Sequence, residues 1–345
     1  MWYSDCKKFD INKGEFMQKK KHNKQMLNPD KGLSVSSIKQ LNNEFYKNYF
    51  KEYFGIKMTV LLWLINSKED VIDTITNSDN LKIGLFGLPK GIKFTDSEIE
   101  QYVKLELATE YYHCMETFLR LFLAHIEIPE CPWLEISRDT NYSNFKNKIK
   151  KLAEGKFDFK HKELSIDELF LFVFYGVDDV SKIGCDENNS VKIDNKTAVS
   201  ILKNYVSKAA QELLTVYDYN AFKHGLAVYA KKSGFALGQP DDKIEENGDS
   251  LIFLNKNKDN NRLKWQKTSV FSFLDYRCSM IWIISGLCSN LLNIGDRTYN
   301  DCRDEKSILF IGKDDLFDTF LKKSATTNQF DVIFQSYSMG LIYDE

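Results

Sequence analysis

The chain has 345 residues, of which 43% are hydrophobic and 14% aromatic, enough to bury one large core or two modest ones. Five prolines and seventeen glycines leave room for long helices and argue against a repeat-built β architecture. A net charge of -2 excludes a protein that coats nucleic acid over its whole surface, though not one with a local basic patch. Seven cysteines, no two closer than Cys278 and Cys288, exclude C-x-x-C zinc and dithiol motifs. Their odd number, with no secretory leader at the start, predicts a reducing, cytoplasmic location.

In chain order, residues 1–34 carry eight lysines against four acids and read as a loosely ordered basic lead-in. Ser37 and Gln40 give a capping signal, followed by Ile38, Leu41, Phe45, Tyr49 and Tyr53 at helical spacing. The apolar run Lys57 to Ile65 fits a buried helix or a strand equally well. Thr95-Asp96-Ser97-Glu98 is a capping box that opens the longest periodic stretch, with Leu105, Tyr112, Met115, Leu119, Phe122 and Ile126 as its stripe and Pro129 and Pro132 as its end. Helices are predicted near Tyr142 to Ala153 and, behind a Ser165/Glu168 box, near Ile166 to Tyr175. After a polar connector, a long helix is expected from Asn195 through Leu213 and Tyr217. Short strands are predicted at Phe235 to Gln239, Ser250 to Leu254 and Leu263 to Val270, the last two joined by a turn-rich Asn255 to Arg262. A helix then spans about Phe273 to Asn293. Its run from Cys278 to Ile294 is short for a bilayer and reads as a core helix. Ile308 to Ile311, a helix near Asp314 to Lys322, and Phe330 to Gln335 close the chain. The fold class is mainly α: a helical bundle with a small β-hairpin or sheet inserted after the motif helix and a short α/β C-terminal segment. The expected divisions are 1–34, 35–94, a helical domain over 95–300 with its insert at 235–270, and an extension over 301–345.

Tyr219-Asn220-Ala221-Phe222-Lys223-His224-Gly225 is the most informative segment. On a helix, positions 220, 223 and 224 meet over one turn, bringing an amide, an ammonium and an imidazole together in an otherwise apolar stripe. Polar groups in such a stripe either bond one another or hold a ligand. As a catalytic set, His224 serves as general acid or base, Lys223 offsets developing phosphate charge and Asn220 orients them. Tyr219, Tyr217 and Arg120 are the expected substrate contacts.

This motif resembles that of the HEPN superfamily, helical nucleotide-binding and ribonuclease domains marked by Arg, a polar residue, three further positions and His. Asn220 and His224 match, while the Arg position holds Tyr219, so positive charge has to come from elsewhere, with Lys223 the nearest cation. The resemblance covers about residues 95–295. It implies metal-independent RNA cleavage with no cofactor, RNA or nucleotide as partner, a homodimer, and a role as a toxin or in antiviral defence. The alternative is a non-catalytic helical binding module with a structural Asn220–His224 pair.

A second constellation, His113, Glu116 and Arg120 on one helical face with His125 beyond, fits the bare Arg-x4-His spacing. Its Glu116–Arg120 part reads as an ordinary i, i+4 ion pair. His113-x2-Glu116 lacks the second copy that a di-iron bundle requires, and neither P-loop nor nucleophile elbow occurs. Trp265, Phe271 and Phe273 interleave with Arg262, Lys264 and Lys267; strand alternation predicts the aromatics inward and the cations outward, the opposite arrangement being a stacking surface for unpaired bases.

Overall fold

The computed structural model describes residues 32–77, 82–83, 86–87, 93–138, 142–183, 193–214, 227–239, 242–259, 262–271, 273–300, 307–313, 316–317, 319 and 339–343. The lead-in up to residue 31 and the segment Phe330 to Gln335 lie outside these residues. The fold is mainly α with a small antiparallel sheet, as the sequence pattern predicts.

Helix α1 (Val35–Asn48) begins earlier than expected, because Ser34 rather than Ser37 is its N-cap and accepts from the Ser37 N–H. The ambiguous run is helix α2 (Tyr53–Asn66). Phe54, Met58 and Leu61 turn inward while Ile56, Val60 and Trp63 stay exposed, so both faces are apolar and no period separates helix from strand. Helix α3 (Lys68–Asn77) follows, then a two-residue ribbon of β1 (Lys82–Ile83) and β2 (Phe86–Gly87).

Helix α4 (Asp96–His125) is the axis of the molecule. Thr95 and Glu98 form the expected capping box in both directions, and acids in the first turn suit the helix dipole. Its burial exceeds the single stripe read from sequence: Val103, Leu107, Tyr111, Cys114, Phe118 and Leu121 are as buried as Met115 and Leu119. Neighbours on several sides cause this, with α2 and the C-terminal helix described below packed along it. Pro132 does not simply end a helix but occupies the first position of α5 (Pro132–Arg138), where its missing N–H is harmless. Helices α6 (Tyr142–Ala153), α7 (Ile166–Tyr175) and α8 (Asn195–Leu214) complete the bundle, α7 opening on the expected Ser165/Glu168 box and stopping at left-handed Gly176.

Strands β3 (Val228–Gln239), β4 (Asp242–Asp259) and β5 (Arg262–Phe271) form an antiparallel meander far longer than expected. Asn255 to Asp259, read as turn, is paired strand, Asn255 opposite Gln266 and Asp259 opposite Arg262. Backbone pairing extends these strands, and side-chain pattern cannot reveal it. The base of the sheet is anchored: Val228, Ala230, Leu251 and Phe253 pack on Ala108 of α4.

Helix α9 (Leu274–Asn300) outlasts its expected end by two turns. It is the one described helix long and apolar enough to cross a bilayer, yet Met280, Ile281, Ile284, Leu287 and Leu291 are fully buried against the bundle. Ile308 to Ile311 is neither helix nor strand. Buried Asn290 of α9 accepts from the Leu309 N–H and donates to its carbonyl, both at 2.8 Å, replacing a ladder with one side-chain amide. Within the expected helix near Asp314, Leu316, Phe317 and Thr319 are described as helical. Strand β6 (Met339–Tyr343), unforeseen, adds a fourth strand beside β5. One hydrophobic cluster runs from Phe45 to Phe317.

Candidate functional site

Of the residues singled out in sequence, Tyr217, Tyr219, Asn220, Lys223 and His224 lie outside the described residues, between the end of α8 at Leu214 and the start of β3 at Val228. The polar connector 184–192 lies outside them as well.

The second constellation is described and separates into two environments. Arg120 donates to Glu116 through Nε (3.0 Å) and Nη2 (2.8 Å), and its guanidinium lies 3.9 Å over the Phe145 ring. Glu116 and Phe145 thus fix the guanidinium flat on the surface, confirming the ion-pair reading. His125 is elsewhere. Its Nδ1–H donates to the Leu121 carbonyl at 2.7 Å, which leaves Nε2 to accept from the Tyr46 hydroxyl at 2.8 Å. The ring is 3% exposed, and burial pushes its pKa down to about 4 against a smaller upward pull from Leu121. A neutral, buried imidazole with both nitrogens engaged is a structural group. Tyr46 stacks on Tyr299 at 5.9 Å, and Gly295 leaves the space its ring occupies: a Cβ there would stand 2.5 Å from the Tyr46 oxygen. Five residues past Arg120, the helical turn carries His125 inward, so the formal Arg-x4-His spacing builds no site.

His113 faces open space. Its ring meets Tyr53 and Phe54 edge-on at 5.8 and 5.3 Å and lines a chamber of about 230 Å³ with Tyr49, Lys51, Thr117 and Cys288. A larger chamber of about 500 Å³ adjoins it, sharing Tyr49 and Thr117 and reaching Arg120, Glu44, Phe45 and Trp133. The two make one cleft between α1, α2, α4, α5 and α9, apolar with a few polar groups at its rim, in the size range of small-molecule sites. Sequence reading missed its α1 and α5 walls, because no local signal marks residues that converge only on folding.

Glu110, one turn before His113, is also unforeseen. It is 0% exposed, no hydrogen bond of normal geometry reaches either carboxylate oxygen, and burial pushes its pKa up to about 7, with Lys57 opposing, Glu106 adding and the Met58 backbone weakly opposing. The signal was available: Glu110 stands between Leu107 and Cys114 at core spacing on α4. Among the described residues, no three His, Cys, Asp or Glu side chains come together as a metal would require.

The sheet overturns one expectation. Trp265 is 45% exposed, whereas the even-numbered Thr268 is buried and Val270 packs inward. Trp265 and Lys267 therefore share the outer face, and the aromatic does not turn to the core.

No protein family, no curated protein and no solved structure matches this chain.

Proposed function

We propose that this chain is a HEPN-like protein that acts on RNA in the cytoplasm, cleaving it by metal-independent transesterification. His224 moves the proton of the attacking 2′-hydroxyl or of the leaving oxygen, Lys223 offsets the charge of the phosphorane, and Asn220 orients them. Tyr217, Tyr219 and Arg120 contact the substrate, and the active form is a homodimer in toxin or antiviral defence, as the resemblance implies. The observation that carries this reading is the Asn220-x2-Lys223-His224 spacing in a chain whose described part is a helical bundle. Sealed His125 supports it by withdrawing the competing Arg-x4-His pair.

The test incubates purified protein and a His224→Ala variant with mixed RNA in EDTA. Cyclic-phosphate ends made by the native chain and absent from the variant are the expected result. Equal background from both, at equal thermal stability, overturns the reading.

A second reading is favoured by the 500 Å³ chamber: a non-catalytic module that holds a small ligand in the α1–α4–α5 cleft, with Asn220 and His224 structural. Tyr219 in place of arginine agrees with it. A ligand-stabilised melting temperature lost on Trp133→Ala, with no RNA cleavage, is its expected signature.

A further inference from the structure

We propose that the outward stripe of α2 is the surface through which two copies of this chain associate. The inference goes beyond the RNA-acting reading, since it needs only this surface, and it gives the homodimer of that reading an interface. Tyr53, Ile56, Val60 and Trp63 follow one another at intervals of three, four and three residues, which on a helix makes one stripe. Phe54, Met58 and Leu61 serve the core from the opposite side. The patch extends past α2: the Phe50 ring lies 6.3 Å from that of Tyr53, and Tyr102 stands one turn before Glu106, which pairs with Lys57 of α2 at 2.9 Å. Tyr53 is 39% exposed and the other five apolar residues between 47% and 58%. Together they present roughly 700 Å² of surface, more than a monomer ordinarily leaves in one apolar patch and close to the roughly 800 Å² that each partner buries in a standard interface.

The occupant that fits is a second copy. Read from either end, the intervals are three, four and three, so a two-fold pairing of antiparallel α2 helices sets Tyr53 against Trp63 of the partner subunit and Ile56 against Val60 of the partner subunit. Aromatic then meets aromatic at both ends and aliphatic meets aliphatic in the middle. Charge agrees. Beside the stripe stand two acids, Glu52 and Glu106, and one lysine, Lys57, which Glu106 already pairs. A phosphate backbone or an anionic bilayer needs surplus cations, whereas a copy of this face brings no block of like charge to repel it. The pairing also reaches the cleft. Phe50 and Tyr53 line the His113 chamber, so Trp63 of the partner subunit adds a ring at its mouth.

The test is analytical ultracentrifugation of the full chain across micromolar concentrations. A monomer–dimer equilibrium with a micromolar Kd is expected. Ile56→Glu with Trp63→Glu should raise that Kd at least about hundredfold, while Leu254→Glu, at an exposed apolar position on the sheet, leaves it within about twofold. Melting temperatures establish that each variant is folded. A chain carrying Ile56→Lys and Val60→Lys, mixed with one carrying Ile56→Glu and Val60→Glu, should restore a dimer that neither forms alone, since opposite charges then meet across the two-fold. A native chain that stays monomeric, or a dimer that survives folded Ile56→Glu/Trp63→Glu, overturns the interface. So does co-sedimentation of native monomer with phosphatidylcholine vesicles that the same variant abolishes, which assigns the stripe to a bilayer. An intact dimer without RNA cleavage by the native chain removes the ribonuclease reading and leaves the interface standing; His224-dependent cleavage by a native chain that stays monomeric does the reverse.

Discussion

At the C-terminal half of α4, His125 is buried with both ring nitrogens bonded and Tyr46 locked between it and Tyr299. Midway along the same helix, Glu110 is as deeply buried with no side-chain partner for either oxygen, and His113, three residues on, lines an open chamber. The contrast separates two uses of a polar group in a core. Satisfied internally, it fixes one arrangement of helices; left short of partners, it is a standing cost that a protein keeps beside a cavity or a ligand.

The sharpest way to break this comparison is His125→Ala. Loss of a buried ring and of the Tyr46 partner is expected to cost about 3 to 4 kcal/mol in denaturant unfolding. A cost under about 1 kcal/mol would mean the sealed end is not a structural lock. Next is Glu110→Gln. A carboxyl whose folded pKa is raised from 4.5 to about 7 gives its full stability below pH 4.5 and loses it as pH rises through 7. The difference between native chain and variant, in which His125 titrates identically, should therefore move by up to about 3 kcal/mol in the variant's favour from pH 4.5 to 8. A pH-independent difference would show that Glu110 is solvated or paired in solution. Gly295→Ala, which drives a Cβ into the immobilised Tyr46 ring, is expected to cost about 2 kcal/mol in the same measurement. The smallest effect belongs to the rim of the larger chamber: Arg120→Ala removes a partly buried ion pair and the contact over Phe145, worth about 1 kcal/mol by thermal melting.

Much of this was readable from sequence, for local reasons. The capping boxes at Thr95 and Ser165 start α4 and α7 at the expected residues, because an N-cap hydroxyl and its N3 glutamate satisfy each other within four residues. The Glu116–Arg120 pair follows from i, i+4 spacing alone. The Asn220-x2-Lys223-His224 motif is legible at the same level, as a spacing, while its residues lie outside those the structure describes.

Other features depend on partners far away in the chain. The length of β4 is set by backbone pairing with β3 and β5, and the fourth strand comes from residues 339–343, more than 65 positions beyond its neighbour's end. Alternation on β5 was clear, but which face is inner was settled by Ala108 of α4 beneath the sheet, and that contact turned Trp265 outward. The same holds for the cleft, whose walls come from five helices, and for Asn290, which looked like a dilution of an apolar run and instead bonds the backbone of Leu309. Sequence by itself determined most of the helices, the caps at Thr95 and Ser165 and the mainly α class, because those depend on residues within one or two turns. Only tertiary structure decided which histidine is sealed, where a carboxylate is stranded and which side of the sheet meets solvent, because burial is a property of neighbours brought together by folding.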